Sequence, residues 1–198
     1  MSYFPAFFRL EGKRILLVGG GAIALEKLEK LLDFSKEISI VAREASPELE
    51  RLARDHCLRL MLRPYRSEEA LDYDLVVVAT DTVDLHRQIF EETRKSRVLV
   101  NSVDDTRYCD FIFPSYVKRG ELTVAFSTSG ASPAFAKHIR RWFEGVLPEG
   151  VDAFLQKMKA LRSEWPKGKE RMRRFDRMAG EYIDKEFPSF SDRKDAEG

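Results

Sequence analysis

Cysteine is scarce in this chain, with only Cys57 and Cys109 among 198 residues. Standing far apart and forming no Cys-x-x-Cys pair, they exclude a disulfide framework and a cysteine-based zinc site as the basis of the fold. Histidine is nearly as rare, and His56, His86 and His138 show no metal-ligand spacing. An excess of one charge is also missing: 34 basic residues meet 33 acidic ones, for a formal net charge of +1. The molecule as a whole therefore offers no electrostatic case for a nucleic-acid partner, and any basic site must be local. No apolar run approaches the ~18 residues of a membrane span, so no membrane association is expected. The opening Met1 to Arg9 lacks the basic start and apolar centre of a signal peptide, and a cytoplasmic location is the expectation. There is no internal repeat and no low-complexity tract.

What is present is a soluble, globular composition, 43% apolar and 34% charged, in a length that suits one ordinary domain with an appendage. The informative stretch is Arg14-Ile-Leu-Leu-Val-Gly-Gly-Gly-Ala-Ile-Ala-Leu-Glu-Lys27. Ile15 to Val18 is too short and too continuously apolar for an amphipathic helix, and reads as a strand buried on both faces. Gly19, Gly21 and Ala24 fall on the Gly-x-Gly-x-x-Gly/Ala spacing. There the first glycine makes the tight turn, the second lets a pyrophosphate approach the backbone, and the third small residue permits close helix packing. The helix expected from Ala22 to about Leu32 would aim its unpaired N–H groups and positive dipole end at that phosphate. Gly19, Gly20, Gly21, Ala22, Ile23 and Ala24 are accordingly the candidate cofactor-binding turn.

The alternation continues. Glu37 to Ala42 reads as a strand at βαβ spacing, and Pro47 opens a helix with Leu49, Leu52 and Ala53 on its apolar face. Leu58 to Leu62 reads as a short strand and Asp74 to Thr80 as another buried one. A helix to about Lys95 and a last strand, Arg97 to Asn101, complete the series. This is the pattern of an open parallel sheet, whose ligands lie beyond the carboxyl ends of the strands. Polar residues cluster there: Gly19 to Gly21, Thr80-Asp81, and Asn101 to Asp105. Asp81 and Asp84 are equally well explained as caps of the next helix.

After residue 110 the pattern changes. Phe111 to Phe126 reads as two strands about the turn Lys118-Arg-Gly-Glu121. Ser127-Thr-Ser-Gly-Ala-Ser-Pro133 supplies hydroxyls and a helix start, with Ser132 as cap and Pro133 as first residue. A helix to Val146 follows, and from Val151 the chain reads as wholly helical, with a basic stretch from Lys167 to Arg177 best taken as a solvated face.

The glycine triplet, Ala79-Thr-Asp81, Val100-Asn-Ser-Val-Asp104, Phe111-Ile-Phe-Pro114 and Ser127-Thr-Ser-Gly-Ala-Ser-Pro133, in this order, resemble the precorrin-2 dehydrogenases, which form the dehydrogenase/ferrochelatase part of sirohaem synthase. The similarity covers residues 1 to about 145 well and the helical tail loosely. It implies an α/β protein: a Rossmann-type NAD-binding domain over 1–112, a β-hairpin/helix dimerisation segment over 113–146, and a helical C-terminal domain over 147–198. It further implies NAD-dependent oxidation of precorrin-2 to sirohydrochlorin by a homodimer and, in the bifunctional members, ferrous iron as a substrate for insertion to give sirohaem. Asp104 matches the family's catalytic aspartate, expected as the base for the proton lost in oxidation and for the pyrrole protons lost in chelation. Thr80, Asp81 and Arg43 join the glycine turn as expected cofactor contacts. Asn101, Asp105, Ser127, Thr128 and Ser129 are expected substrate contacts, and the cations Arg107, Lys118, Arg119, Lys137, Arg140 and Arg141 are available to the tetrapyrrole's carboxylates.

The chain departs from the family in places. Arg43-Glu44 ends the second strand without a clear acidic partner for the adenosine ribose, which leaves NADP open beside NAD. Ser129 stands where relatives often have glycine, and His86 where they tend to have asparagine. The competing reading of a different class is an NAD(P)-sensing regulatory module that binds the dinucleotide without chemistry, in which Asp104 would be dispensable.

Overall fold

The computed structural model describes residues 3–103 and 105–187 in two compact units that meet in sequence at Phe113 and Pro114. The first unit is built on five parallel strands: β1 (Ile15–Val18), β2 (Ile38–Ala42), β3 (Arg59–Leu62), β4 (Leu75–Val78) and β5 (Leu99–Ser102). Their spatial order is β3-β2-β1-β4-β5. β1 and β4 are in register from Ile15 against Leu75 to Val18 against Val78, and both are buried along their whole length.

Strand side chains alternate between faces, so one apolar strand feeds two cores. Ile15, Leu17, Ile38, Ile40, Leu75 and Val77 form one core with Ala24, Leu28 and Leu31 of α1 (Ala22–Leu32) and Leu49 and Ala53 of α2 (Pro47–Asp55). Leu16, Val18, Val41, Val76, Val78 and Val100 form the other with Ile89 of α3 (Val83–Thr93). Sequence order reverses direction at β1 and β4, which opens a crevice beyond their carboxyl ends. The expected elements are present with small shifts of boundary. Thr82, rather than Asp81 or Asp84, is the residue before α3, and it makes no side-chain cap; Asp84 instead pairs with Arg87 at 3.1 Å.

The second unit begins with an antiparallel hairpin, β6 (Ser115–Arg119) and β7 (Leu122–Phe126), turned by Gly120 at φ +57° and Glu121. Three helices follow: α4 (Pro133–Val146), α5 (Val151–Glu164) and α6 (Lys169–Glu186). Ser132 caps α4, its hydroxyl oxygen accepting from the Phe135 N–H at 3.1 Å. Val117, Leu147 and Val151 bury a small core with Leu122, Phe126, Phe143 and Leu155. Asp152 ties the hairpin turn to α5 by accepting from the Glu121 N–H, while the Arg119 guanidinium donates to the carbonyls of Leu147 and Pro148. No helix among the described residues is long and apolar enough to cross a membrane.

Candidate functional site

The three glycines after β1 differ in what demands them. Gly19 has φ +133°, and a Cβ there would stand 2.0 Å from the Ala79 carbonyl oxygen at the end of β4. A Cβ on Gly20 would stand 2.0 Å from the Glu44 carbonyl oxygen, beside the point where the Ser46 N–H donates to the Gly20 carbonyl at 2.8 Å. Gly21 is extended, and a Cβ on it would meet nothing within 4 Å among the described residues. The fold itself therefore requires Gly19 and Gly20, and leaves open space over Gly21. That space lies at the start of α1, which has no side-chain cap and whose first intrahelical donor is Leu25 N–H to the Gly21 carbonyl. The N–H groups ahead of Leu25 and the positive end of the helix dipole face a gap with the chemistry of an anion cradle. The residues present fit a dinucleotide pyrophosphate.

Beside the cradle is a cleft of about 310 Å³. Ile23 of α1 walls one side, and Ala79, Thr80 and Asp81, just beyond β4, form another. Val83 and His86 of α3, with Val103, Asp105 and Arg107 beyond β5, complete it. Thr80 and Asp81 thus come together with Ile23 and Asp105. Asp104 lies outside the described residues. Arg43 is exposed beyond β2, on the other side of the glycine turn in the strand order.

Asp105 and Arg107 are locked together across one 3₁₀ turn. The Arg107 Nε donates to Asp105 Oδ1 at 2.9 Å, Nη2 to Oδ2 at 2.7 Å, and the Arg107 N–H to Oδ1 at 3.1 Å. The Arg107 side-chain hydrogen bonds hold the Asp105 carboxyl below its ordinary range. It stays ionised and committed at neutral pH, a poor proton acceptor.

His86, like Val83 and Val103, is a cleft residue to which the sequence assigned no role. It is buried, and its Nε2 lies 2.7 Å from the Thr80 carbonyl oxygen. A carbonyl only accepts, so Nε2 carries a proton and donates. Nδ1 faces the Ser102 hydroxyl, and the imidazole thereby bridges the ends of β4 and β5 from beneath the cleft. The signal was present: His86, Ile89 and Thr93 are the buried residues of α3 and make one helical stripe.

Asn101 is buried on the opposite side of β5 from Ser102 and does not line the cleft. Its Nδ2 donates to the Phe111 carbonyl at 2.9 Å, while its buried Oδ1 has no hydrogen-bond partner among the described residues. Cys109 sits below the same strand end, where burial pushes its thiol pKa up and the Ser102 N–H donates to its sulfur. Ser127, Thr128 and Ser129 belong to the second unit and build the turn into α4: Ser127 Oγ accepts from the Ser129 N–H, and Thr128 Oγ1 from the Ser132 N–H. Ser129 has φ +51°, the left-handed region that favours glycine. Among the described residues no group of His, Cys, Asp and Glu side chains is gathered to hold a metal ion.

Comparison with known proteins gives a match over residues 6–115 to a family model described as NAD(P)-binding. The chain belongs to this NAD(P)-binding family. Within this family member, residues 119–144 also match a model for the central part of sirohaem biosynthesis proteins. Siroheme synthase 1 of Serratia proteamaculans is 39% identical over 165 residues, covering 83% of this chain and 34% of that protein. Siroheme synthase of Neisseria meningitidis serogroup C is 35% identical over 151 residues, covering 76% of this chain and 32% of that protein. The chain thus spans about a third of the length of these relatives. The solved structure of SirC, precorrin-2 dehydrogenase, superposes with a TM-score of 0.76 at 23% identity, covering 98% of this chain and 96% of that one, which is a likeness of fold.

Proposed function

We propose that this NAD(P)-binding protein is a precorrin-2 dehydrogenase, oxidising precorrin-2 to sirohydrochlorin with NAD in sirohaem biosynthesis. The observation that carries the reading is the open space over Gly21, leading from an anion cradle into a strand-end cleft with apolar walls, in a chain whose relatives are siroheme synthases. Bound at the cradle, NAD supplies the hydride acceptor. The chain's own tasks are to hold the pyrophosphate at the start of α1, to shield the reacting carbon, and to accept one proton for each hydride removed. Ile23, Val83 and Val103 supply the apolar walls. Asp104, the neighbour in sequence of the cleft residues Val103 and Asp105, is the proposed base; Asp105 is already committed to Arg107. Ferrous iron is proposed as a second substrate, with Asp104 taking the pyrrole protons that it displaces. The hairpin and α4 are proposed to join two copies of the chain, because a two-stranded sheet has too little core to stand alone.

Purified protein mixed with enzymatically made precorrin-2 and NAD is expected to develop sirohydrochlorin absorbance. Retention of NAD binding without any such absorbance would favour a sensing module over an enzyme.

A further inference from the structure

Arg107 is the cation of the cleft wall, and its environment is unusual for a surface arginine. The side chain is 71% exposed, while the Asp105 carboxylate that grips it is only 20% exposed. The grip uses Nε and one hydrogen of Nη2. A guanidinium is planar and carries five donors, so pairing along the Nε–Nη2 edge leaves the Nη1–Nη2 edge as a second fork, of the shape that receives a carboxylate bidentately. The holder is itself fixed, since Asp105 caps the single 3₁₀ turn Thr106–Tyr108, and the guanidinium carbon lies 5.4 Å from the centre of the Tyr108 ring. A fork pinned in this way has already lost most of its rotamer freedom before a ligand arrives. Apolar Ile23, Val83 and Val103 line the same cleft.

We propose that Arg107 reads a carboxylate of the substrate through its Nη1–Nη2 edge, and that Asp105 is a positioning residue that acts by pinning it. This rests on the tetrapyrrole reading above, since a polycarboxylate substrate is what such a fork suits. The Asp105–Arg107 pair is close to neutral as a unit, so recognition comes from geometry rather than from net field. That separates the proposal from simple charge attraction. Asp105→Asn makes the cleft one unit more positive and keeps a good cap residue, so attraction alone predicts tighter substrate binding, whereas a pinned fork predicts weaker binding because the guanidinium is released.

The experiment is steady-state kinetics of the full chain with precorrin-2 and NAD, alongside absorbance titration of the tetrapyrrole without NAD, for the wild type, Arg107→Lys and Asp105→Asn. Arg107→Lys keeps the charge and loses the fork, and is expected to raise the KM and Kd for the tetrapyrrole ~10-fold, with kcat changing less than KM. Asp105→Asn is expected to raise both as well, while the KM for NAD moves less than ~2-fold in either variant. Tighter tetrapyrrole binding by Asp105→Asn would overturn the pinning. A rise confined to the KM for NAD would assign the fork to a cofactor phosphate instead, and wild-type affinity in Arg107→Lys would remove it from the site. Wild-type protein that binds the tetrapyrrole without oxidising it defeats the dehydrogenase reading alone, because the titration still tests the fork; wild-type protein that does not bind it at all defeats both.

Discussion

Gly19, Gly20 and Gly21 look alike in sequence and answer to different forces. Gly19→Ala places a methyl group 2.0 Å from the Ala79 carbonyl oxygen at φ +133°, and is expected to cost stability by about 2–4 kcal/mol, read as a lowered Tm. Gly21→Asp meets no such obstacle. An aspartate at the residue before α1 is a favourable cap, so the variant should melt no lower than the wild type while losing NAD, whose pyrophosphate would meet both a side chain and a like charge. Calorimetry showing undiminished NAD and NADP affinity in Gly21→Asp would count decisively against the cradle. Asp104→Asn is the second expectation at this scale. It preserves shape and removes the proton acceptor, so NAD binding should survive while dehydrogenation falls ~10²–10⁴-fold. If the same carboxylate serves chelation, iron insertion should fall with it, and native turnover in both assays would falsify the assignment. The spacing of Gly19, Gly21 and Ala24 was legible from the sequence because a local turn dictates it. The role of His86 was not, since it depends on the ends of two strands that are neighbours only in the folded sheet.

A single carboxylate, that of Asp110, ties β5 to the end of α3. Asp110 accepts from the Val100 N–H at 2.9 Å and receives both arms of the Arg94 guanidinium, at 2.8 and 2.7 Å, so one carboxylate fastens an edge strand to the end of α3. Burial by itself would raise its pKa, but the Arg94 and Val100 hydrogen bonds prevail and hold it below the ordinary value. A carboxyl depressed in the folded state contributes stability that is fully present above the unfolded value, near ~3.9, and lost as pH falls through the folded one. Asp110→Asn is therefore expected to cost ~1–3 kcal/mol at neutral pH, with the gap from wild type closing below about pH 4. Denaturant titrations at neutral and acid pH check this; a gap that stayed constant through the acid range would contradict it. Strand and helix identity were legible along 15–102 because each short apolar run is bounded by turn chemistry. The start of α3 was less so: Thr82 competes with Asp81 and Asp84 as the boundary residue, and only the path of the backbone from β4 decides among them.

At the scale of the whole molecule, a two-stranded sheet backed by a small core of Val117, Leu147 and Val151 is a modest foundation for a separate unit. A dimer that persists at micromolar concentration is expected, and light scattering that returned the mass of one chain, 22.9 kDa, would reject it. By itself the sequence determined the class of the fold, the glycine turn, and the cap at Ser132, because backbone preference, hydrophobic period and capping act over a few residues. Only the tertiary structure decided that Gly21 faces open space while Gly19 and Gly20 are held by the fold, that Asp105 is spent on Arg107, and that His86 joins Thr80 to Ser102. Those are properties of distance and of occupied hydrogen-bonding capacity, set when segments remote in the chain close on one another, and no local pattern of residue types encodes them.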